Sequence, residues 1–364
     1  MQIVYFPYLM LGTIEEISFD NIKVWNFTKK AEEYIPDRIL RDKINALLAM
    51  NKYGNHSIKD IGILSIGNVD FRPYSQAEIV LVNEVRLLLF LTFLAQNNVT
   101  AQGVNAGLDM ATSENFSQVY QNFELANDHV SESAGYIVKS TIGGYKMQEI
   151  SFVAPSHILK PWQVSFDDDL LMQLRQLKVL DGTFYDRILR ATDLLFESYF
   201  NNPNVSLNAR ILLQVSALEV LLDLSMKDQR KGLKDKIKST TVLPNDKVLR
   251  YKSERGSTTH LETESIKVMW ADRFYVLRNH IIHGTTVPPL EFIFERQRHI
   301  DIAVMFFVVL VKKLLNQRLG STIFFDEIAW SKFTDGDNNE HDGFVYDNGA
   351  FRKVVNAIKA TGNI

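Results

Sequence analysis

Apolar residues recur at about every second position in parts of the first 155 residues, and at about every 3.6 positions over most of the chain beyond them. Residues 3–11, 16–27 and 61–66 have the β-branched and aromatic content of strands. Ile39, Leu40, Ile44, Leu47 and Leu48 fall at helical spacing, with Pro36 suited to a first helical position. Residues 76–96 read as one long apolar helix. Further strands are predicted at 119–123, 135–140 and 145–153, the last two joined by a turn at Gly143-Gly144.

Two prolines within residues 154–161 interrupt the pattern. Asp167, Asp168 and Asp169 then precede an apolar run. Three acids there complement the partial positive charge of a helix N-terminus, so they read as a cap and not as a metal site. Helices are predicted at 184–201, at 206–225 behind Ser206, at 263–283 ahead of Gly284, and at 290–315. Long helices with short connections make a bundle. The expected fold class is α+β. A mixed α/β domain covers 1–155, an all-α helical bundle covers 156–318, and a C-terminal extension with an acidic loop covers 319–364.

Composition narrows the function. Lys and Arg number 40 against 43 Asp and Glu, a net charge of -3, so a nucleic-acid surface must be local. The absence of cysteine excludes a disulfide framework, a thiolate zinc site and a thiol nucleophile. The first ten residues lack a basic region and read as a strand rather than a signal peptide. The apolar stretches at 87–95 and 302–310 are about half the ~20 residues a membrane span needs, so no membrane association and a cytoplasmic location are expected.

The informative segment runs from Trp270 to Gly284. On a helical wheel Ile266, Trp270, Phe274, Leu277 and Ile281 form one stripe, the face expected to enter the bundle. Val268, Tyr275 and Ile282 lie nearly opposite, flanked by Arg278, Asn279 and His283. Asn279 and His283 are four apart and therefore neighbours, with Arg278 on the other side of Ile282. Such a second face needs its own partner: a cleft, a ligand or a second subunit. His280, at the edge of the core stripe, reads as a histidine bonded within the fold. His283 sits where the carbonyl end of a helix favours an imidazolium, a useful setting for a general acid or base.

Arg278-Asn279-His280-Ile281-Ile282-His283 matches the Arg-Asn-x-x-x-His signature of HEPN-domain ribonucleases. The run from Tyr275 to Gly284 resembles the Apea-like HEPN branch, and Ala217-Leu218-Glu219 on an earlier helix is similar to that branch as well. The resemblance covers residues 165–318 and leaves the first 155 uncovered. It implies a homodimer with two Arg–His motifs facing each other across a cleft, and RNA cleavage without metal or cofactor. A ribose 2′-OH would attack the adjacent phosphate, leaving a 2′,3′-cyclic phosphate and a 5′-OH. His283 would move the proton, Arg278 would stabilise the charge on the phosphorane, and Asn279 would orient His283 or the phosphate. Thr285 stands where HEPN toxins with nucleotidyltransferase antitoxins carry tyrosine, so silencing by AMPylation is not expected.

Residues 226–255 carry ten basic side chains against four acids. Lys227, Arg230, Lys231, Lys234, Lys236 and Lys238 are candidate phosphate contacts, with Arg296, Arg298 and His299 on the next helix as further ones; the alternative is a solvated charged segment. Asp335, Asp337, Glu340 and Asp342 lack the spacing of a calcium loop, and Gly62 to Gly67 lacks the Lys-Ser/Thr of a P-loop. His260, His280 and His283 find no carboxylate by spacing to complete a zinc site.

The expected function is a metal-independent HEPN endoribonuclease acting on single-stranded RNA or RNA loops, the tRNA anticodon loop among them. The resemblance implies antiviral defence or toxin-type growth arrest, with a viral trigger or regulatory protein as a further partner. The N-terminal domain is then the candidate for sensing or restraint. The alternative is a catalytically inactive HEPN module that binds RNA or protein; a metal-dependent hydrolase is a third reading.

Overall fold

A computed structural model describes residues 1–53, 55–100, 113–123, 152–153, 162–199, 205–225, 227–240, 248–255, 258–294 and 297–321. The predicted strand at 135–140, the Gly143-Gly144 turn, the acidic loop and Arg296 lie outside these residues. The protein is mixed α+β, with an N-terminal sheet and a second, mainly helical unit.

The first unit opens with β1 (Gln2–Met10), β2 (Glu16–Phe19), β3 (Ile22–Asn26), α1 (Phe27–Tyr34) and α2 (Arg38–Ala49). It continues with β4 (Asn51–Tyr53), β5 (His56–Ser57), β6 (Ile61–Ile66), the helix α3 (Gln76–Thr100), a 3-10 turn at Ser113–Phe116, β7 (Val119–Asn122), β8 (Phe152–Val153) and β9 (Trp162–Gln163). The main sheet has the order β2-β3-β6-β1-β7, and β9 pairs in parallel with the far end of β1. A small sheet has the order β5-β4-β8.

Strand β1 lies inside the sheet, between β6 and β7, and is buried on both faces, as its nearly continuous apolar sequence requires. Pro7 offers no N–H to the ladder, and the pairing of β1 with β6 shifts register between Phe6 and Met10. One face of the sheet packs Ile3, Tyr5, Trp25 and Ile63 against Ile44 and Leu47 of α2. Pro36 does not occupy the first helical position: Asp37 caps α2, its carboxylate accepting from the Ile39 and Leu40 amides, and the helix begins at Arg38. Helix α3 enters the second unit after Phe90.

The second unit contains α4 (Asp168–Leu180), α5 (Gly182–Ser198), α6 (Leu207–Leu222), α7 (Gln229–Thr240), β10 (Val248–Arg255), β11 (Thr258–Ser265), α8 (Ile266–Ile282), the short strands β12 (Ile293–Phe294) and β13 (Gln297–Arg298), and α9 (His299–Leu319). Asp167 caps α4 through the Leu170 amide, and Ser206 caps α6 through the Ala209 amide. Asp181 ends α4 and also caps α5 through the Phe184 amide, so one residue turns the chain between two helices. The core stacks Trp270 between Phe274, 5.0 Å away, and Phe306, 4.4 Å away. Burying each such ring stabilises the fold by about 2–3 kcal/mol.

This unit is not all-helical. Two stretches expected to open α-helices do not. Thr258, Thr259 and Thr263 favour extended backbone, and the hairpin β10–β11 runs to Ser265 before α8 begins. Pro288 and Pro289 hold a 3-10 turn, and α9 starts only at His299, after the two-residue strands β12 and β13. Among the described residues no helix is long and apolar enough to cross a membrane.

Candidate functional site

Helix α8 is buried on nearly every side over its first three turns. Val268, Trp270, Ala271, Phe274, Tyr275 and Leu277 are all buried. The second face, expected to need a cleft, a ligand or a second subunit, is covered within the same unit along most of its length, with Tyr275 packed toward α6 and α7. The Tyr275 hydroxyl lies 3.0 Å from Glu219 Oε1 and 2.9 Å from Gln229 Oε1. Burial, and then the charge of Glu219, pushes its pKa up to about 12, so it acts as a hydrogen-bond donor.

Only the last turn of α8 emerges. Ile282 is 50% exposed, an apolar side chain set between Arg278 and His283. His283 is the C-cap residue and is exposed. The helix ends in a Schellman arrangement: the Thr285 amide donates to the His280 carbonyl at 2.9 Å and the Gly284 amide to the Ile281 carbonyl at 3.1 Å. Gly284 takes a φ of +70°, which accounts for glycine after the histidine on structural grounds.

Arg278 is half-buried and held from two sides. Its Nη1 donates to Asn279 Oδ1 at 3.0 Å, and its guanidinium lies 5.2 Å from the centre of the Tyr275 ring. Asn279 thus orients the arginine, rather than His283, through its side-chain oxygen. Arg278 and His283 are five residues apart, roughly 7.5 Å along the axis and about 140° around it. One copy of the helix therefore presents the two groups in different directions.

The predicted basic residues divide into two sets. Arg230 donates from Nε and Nη2 to the two carboxylate oxygens of Asp272, at 2.8 and 2.9 Å. Lys234 lies 3.4 Å from the same carboxylate, which is only 1% exposed. These two cations serve a buried acid. Lys238 binds Glu264, and Lys227, Lys231 and Lys236 are exposed. Arg298 pairs with Asp301, and His299 is buried against Phe274, which removes it as an RNA contact. The Gln229 side chain reaches Tyr275, so Lys227 and Lys231 sit at the Arg278 end of the unit.

Tyr275 and Asp272 were not singled out by chemistry in the sequence. The one signal was an acid among Trp270, Ala271 and Phe274, a position that demands a cationic partner. Among the described residues no group of three or more His, Asp or Glu side chains is placed to hold a metal ion. No family model, no curated protein and no solved structure matches the chain.

Proposed function

We propose that the protein is a metal-independent endoribonuclease of the HEPN type, acting on single-stranded RNA or RNA loops. The observation that carries this reading is the exposed end of α8. There Arg278 is oriented by Asn279 and Tyr275, His283 is open to solvent, and Ile282 is half-exposed between them. A general acid–base and a fixed guanidinium suffice to move a 2′-OH onto its neighbouring phosphate. His283 takes the 2′-OH proton and returns a proton to the 5′-oxygen that leaves. Arg278, with donors left beyond its bond to Asn279, neutralises the charge on the phosphorane.

Two copies meeting over Ile282 would gather both motifs into one cleft. That resolves the divergence of Arg278 and His283 on a single helix. Lys227 and Lys231 supply backbone contacts at the same end. Growth arrest in antiviral defence or in a toxin system, under a viral trigger or regulatory protein, is the setting that fits such an enzyme, because unrestrained cleavage of RNA harms its host.

The test is incubation of total cellular RNA with the full chain in EDTA, beside Arg278→Ala and His283→Ala. Cleavage by the wild type that falls at least ~100-fold in both variants supports the reading. RNA binding without cleavage by any of the three would favour a catalytically inactive binding module.

A further inference from the structure

Helix α9 runs antiparallel to α8, since Trp270 stacks on Phe306 and Phe274 on His299. The far end of α9 therefore lies beyond the start of α8. The 17 residues of α8 separate it from His283 by roughly 25 Å. At that end, α5 and α9 enclose a hollow of about 670 Å³ lined by Phe184, Arg187, Arg190 and Arg318. A second hollow of about 290 Å³ shares Arg187, Asp223, Leu314 and Gln317 with the first and adds Lys236 from α7.

The charges of this place are unbalanced. Arg187 pairs with Asp223 at 2.8 Å, and Arg318 donates to Asp181 through Nε and Nη2. Arg190 and Lys236 are exposed and make no ion pair with any described residue. Four cations therefore face two carboxylates. Arg187 also keeps a buried Nε–H with no hydrogen-bond partner, and its guanidinium is fixed 4.6 Å from the centre of the Phe184 ring. Asp181 already accepts the Phe184 amide and binds Arg318, which holds its carboxyl below the usual range and keeps its charge matched. The Arg187 guanidinium, a fork of donors held by Asp223 and the Phe184 ring, suits phosphoryl oxygens, and Arg190 and Lys236 add unpaired positive charge beside it. Phe184 and Leu314 give the same hollow apolar surface, which a phosphate alone would not use.

We infer that these joined hollows bind a free nucleotide, held through its phosphates by Arg187, Arg190 and Lys236. The size and the mixed lining match a small phosphorylated molecule better than a continuous strand. The site stands apart from the end of α8, so it does not depend on the ribonuclease reading.

The experiment is titration calorimetry on the full chain without added metal, using ATP, pyrophosphate, adenosine and a single-stranded ten-nucleotide RNA as probes. Arg190 and Lys236 are exposed, so Arg190→Ala and Lys236→Ala leave the fold intact, which melting curves verify. ATP and pyrophosphate should bind, more weakly as salt rises, and each variant should weaken ATP at least ~10-fold, about 1.4 kcal/mol. Adenosine should bind at least ~10-fold more weakly than ATP. The inference is overturned if neither phosphate compound binds, if adenosine binds as tightly as ATP, or if both variants bind ATP like the wild type. RNA binding with no ATP binding would assign the basic hollow to RNA and overturn it equally.

Discussion

Replacing Arg230 by methionine separates a structural cation from an RNA-binding one. Asp272 is 1% exposed and receives both arms of the Arg230 guanidinium, with Lys234 3.4 Å away. Removing one partner of a buried ion pair costs about 3–5 kcal/mol, because the remaining charge stays desolvated. Arg230 is itself 22% exposed and Lys234 remains, which places Arg230→Met nearer ~2–3 kcal/mol. At ~2–4 °C per kcal/mol for a unit of this size, thermal melting should fall by ~5–10 °C. Lys231→Met, on the exposed side of the same helix, should stay within ~0.5 kcal/mol of wild type. RNA affinity, read across a salt series on the folded proteins, should respond to Lys231 and not to Arg230. Unchanged melting of Arg230→Met, with a larger loss of RNA affinity than Lys231→Met, would refute the assignment.

Three other consequences are measurable. Gly284→Ala meets no atom within 4 Å but forces a side chain onto a φ of +70°, so urea denaturation should show a loss of ~1 kcal/mol from backbone strain alone. Tyr275→Phe should cost ~1–2 kcal/mol through its lost contacts to Glu219 and Gln229, yet keep the ring beside Arg278, so RNA cleavage should survive it and fail in Tyr275→Ala. Burial, aided by the charge of Arg273, holds His299 down to about 3, whereas an unfolded imidazole titrates near ~6.5. The unfolded chain therefore gains a proton first as pH falls below ~6.5, so this contribution is complete above that value and lost on acidification. Wild type should lose ~1.5 kcal/mol more than His299→Phe between pH ~6.5 and ~5; parallel pH profiles for the two would remove His299 as the cause.

Local signals were legible where one short-range interaction decides the structure. The β6 strand, the caps at Asp167 and Ser206 and the stop at Gly284 all lie where the residues indicated. The hairpin β10–β11 was not legible, because its strands mix charge and threonine without an apolar alternation to mark a buried face. The site was legible in part. Periodicity found that α8 has two apolar faces, but not that α6 and α7 cover the second one as far as Tyr275. Charge counting gathered ten basic residues into one patch, yet Arg230 and Lys234 turn inward to Asp272. A single acid some forty positions away decides that, and sequence separation hides it.

The most direct test of the ribonuclease account is the chemistry of the cut ends. RNA cleaved by the wild-type chain in EDTA should end in 2′,3′-cyclic phosphate and begin in 5′-OH, and a 2′-deoxy nucleotide at the cut site should stop cleavage there. Products carrying 5′-phosphate, or undiminished cutting of the 2′-deoxy substrate, would contradict a mechanism run by Arg278 and His283 through the ribose hydroxyl.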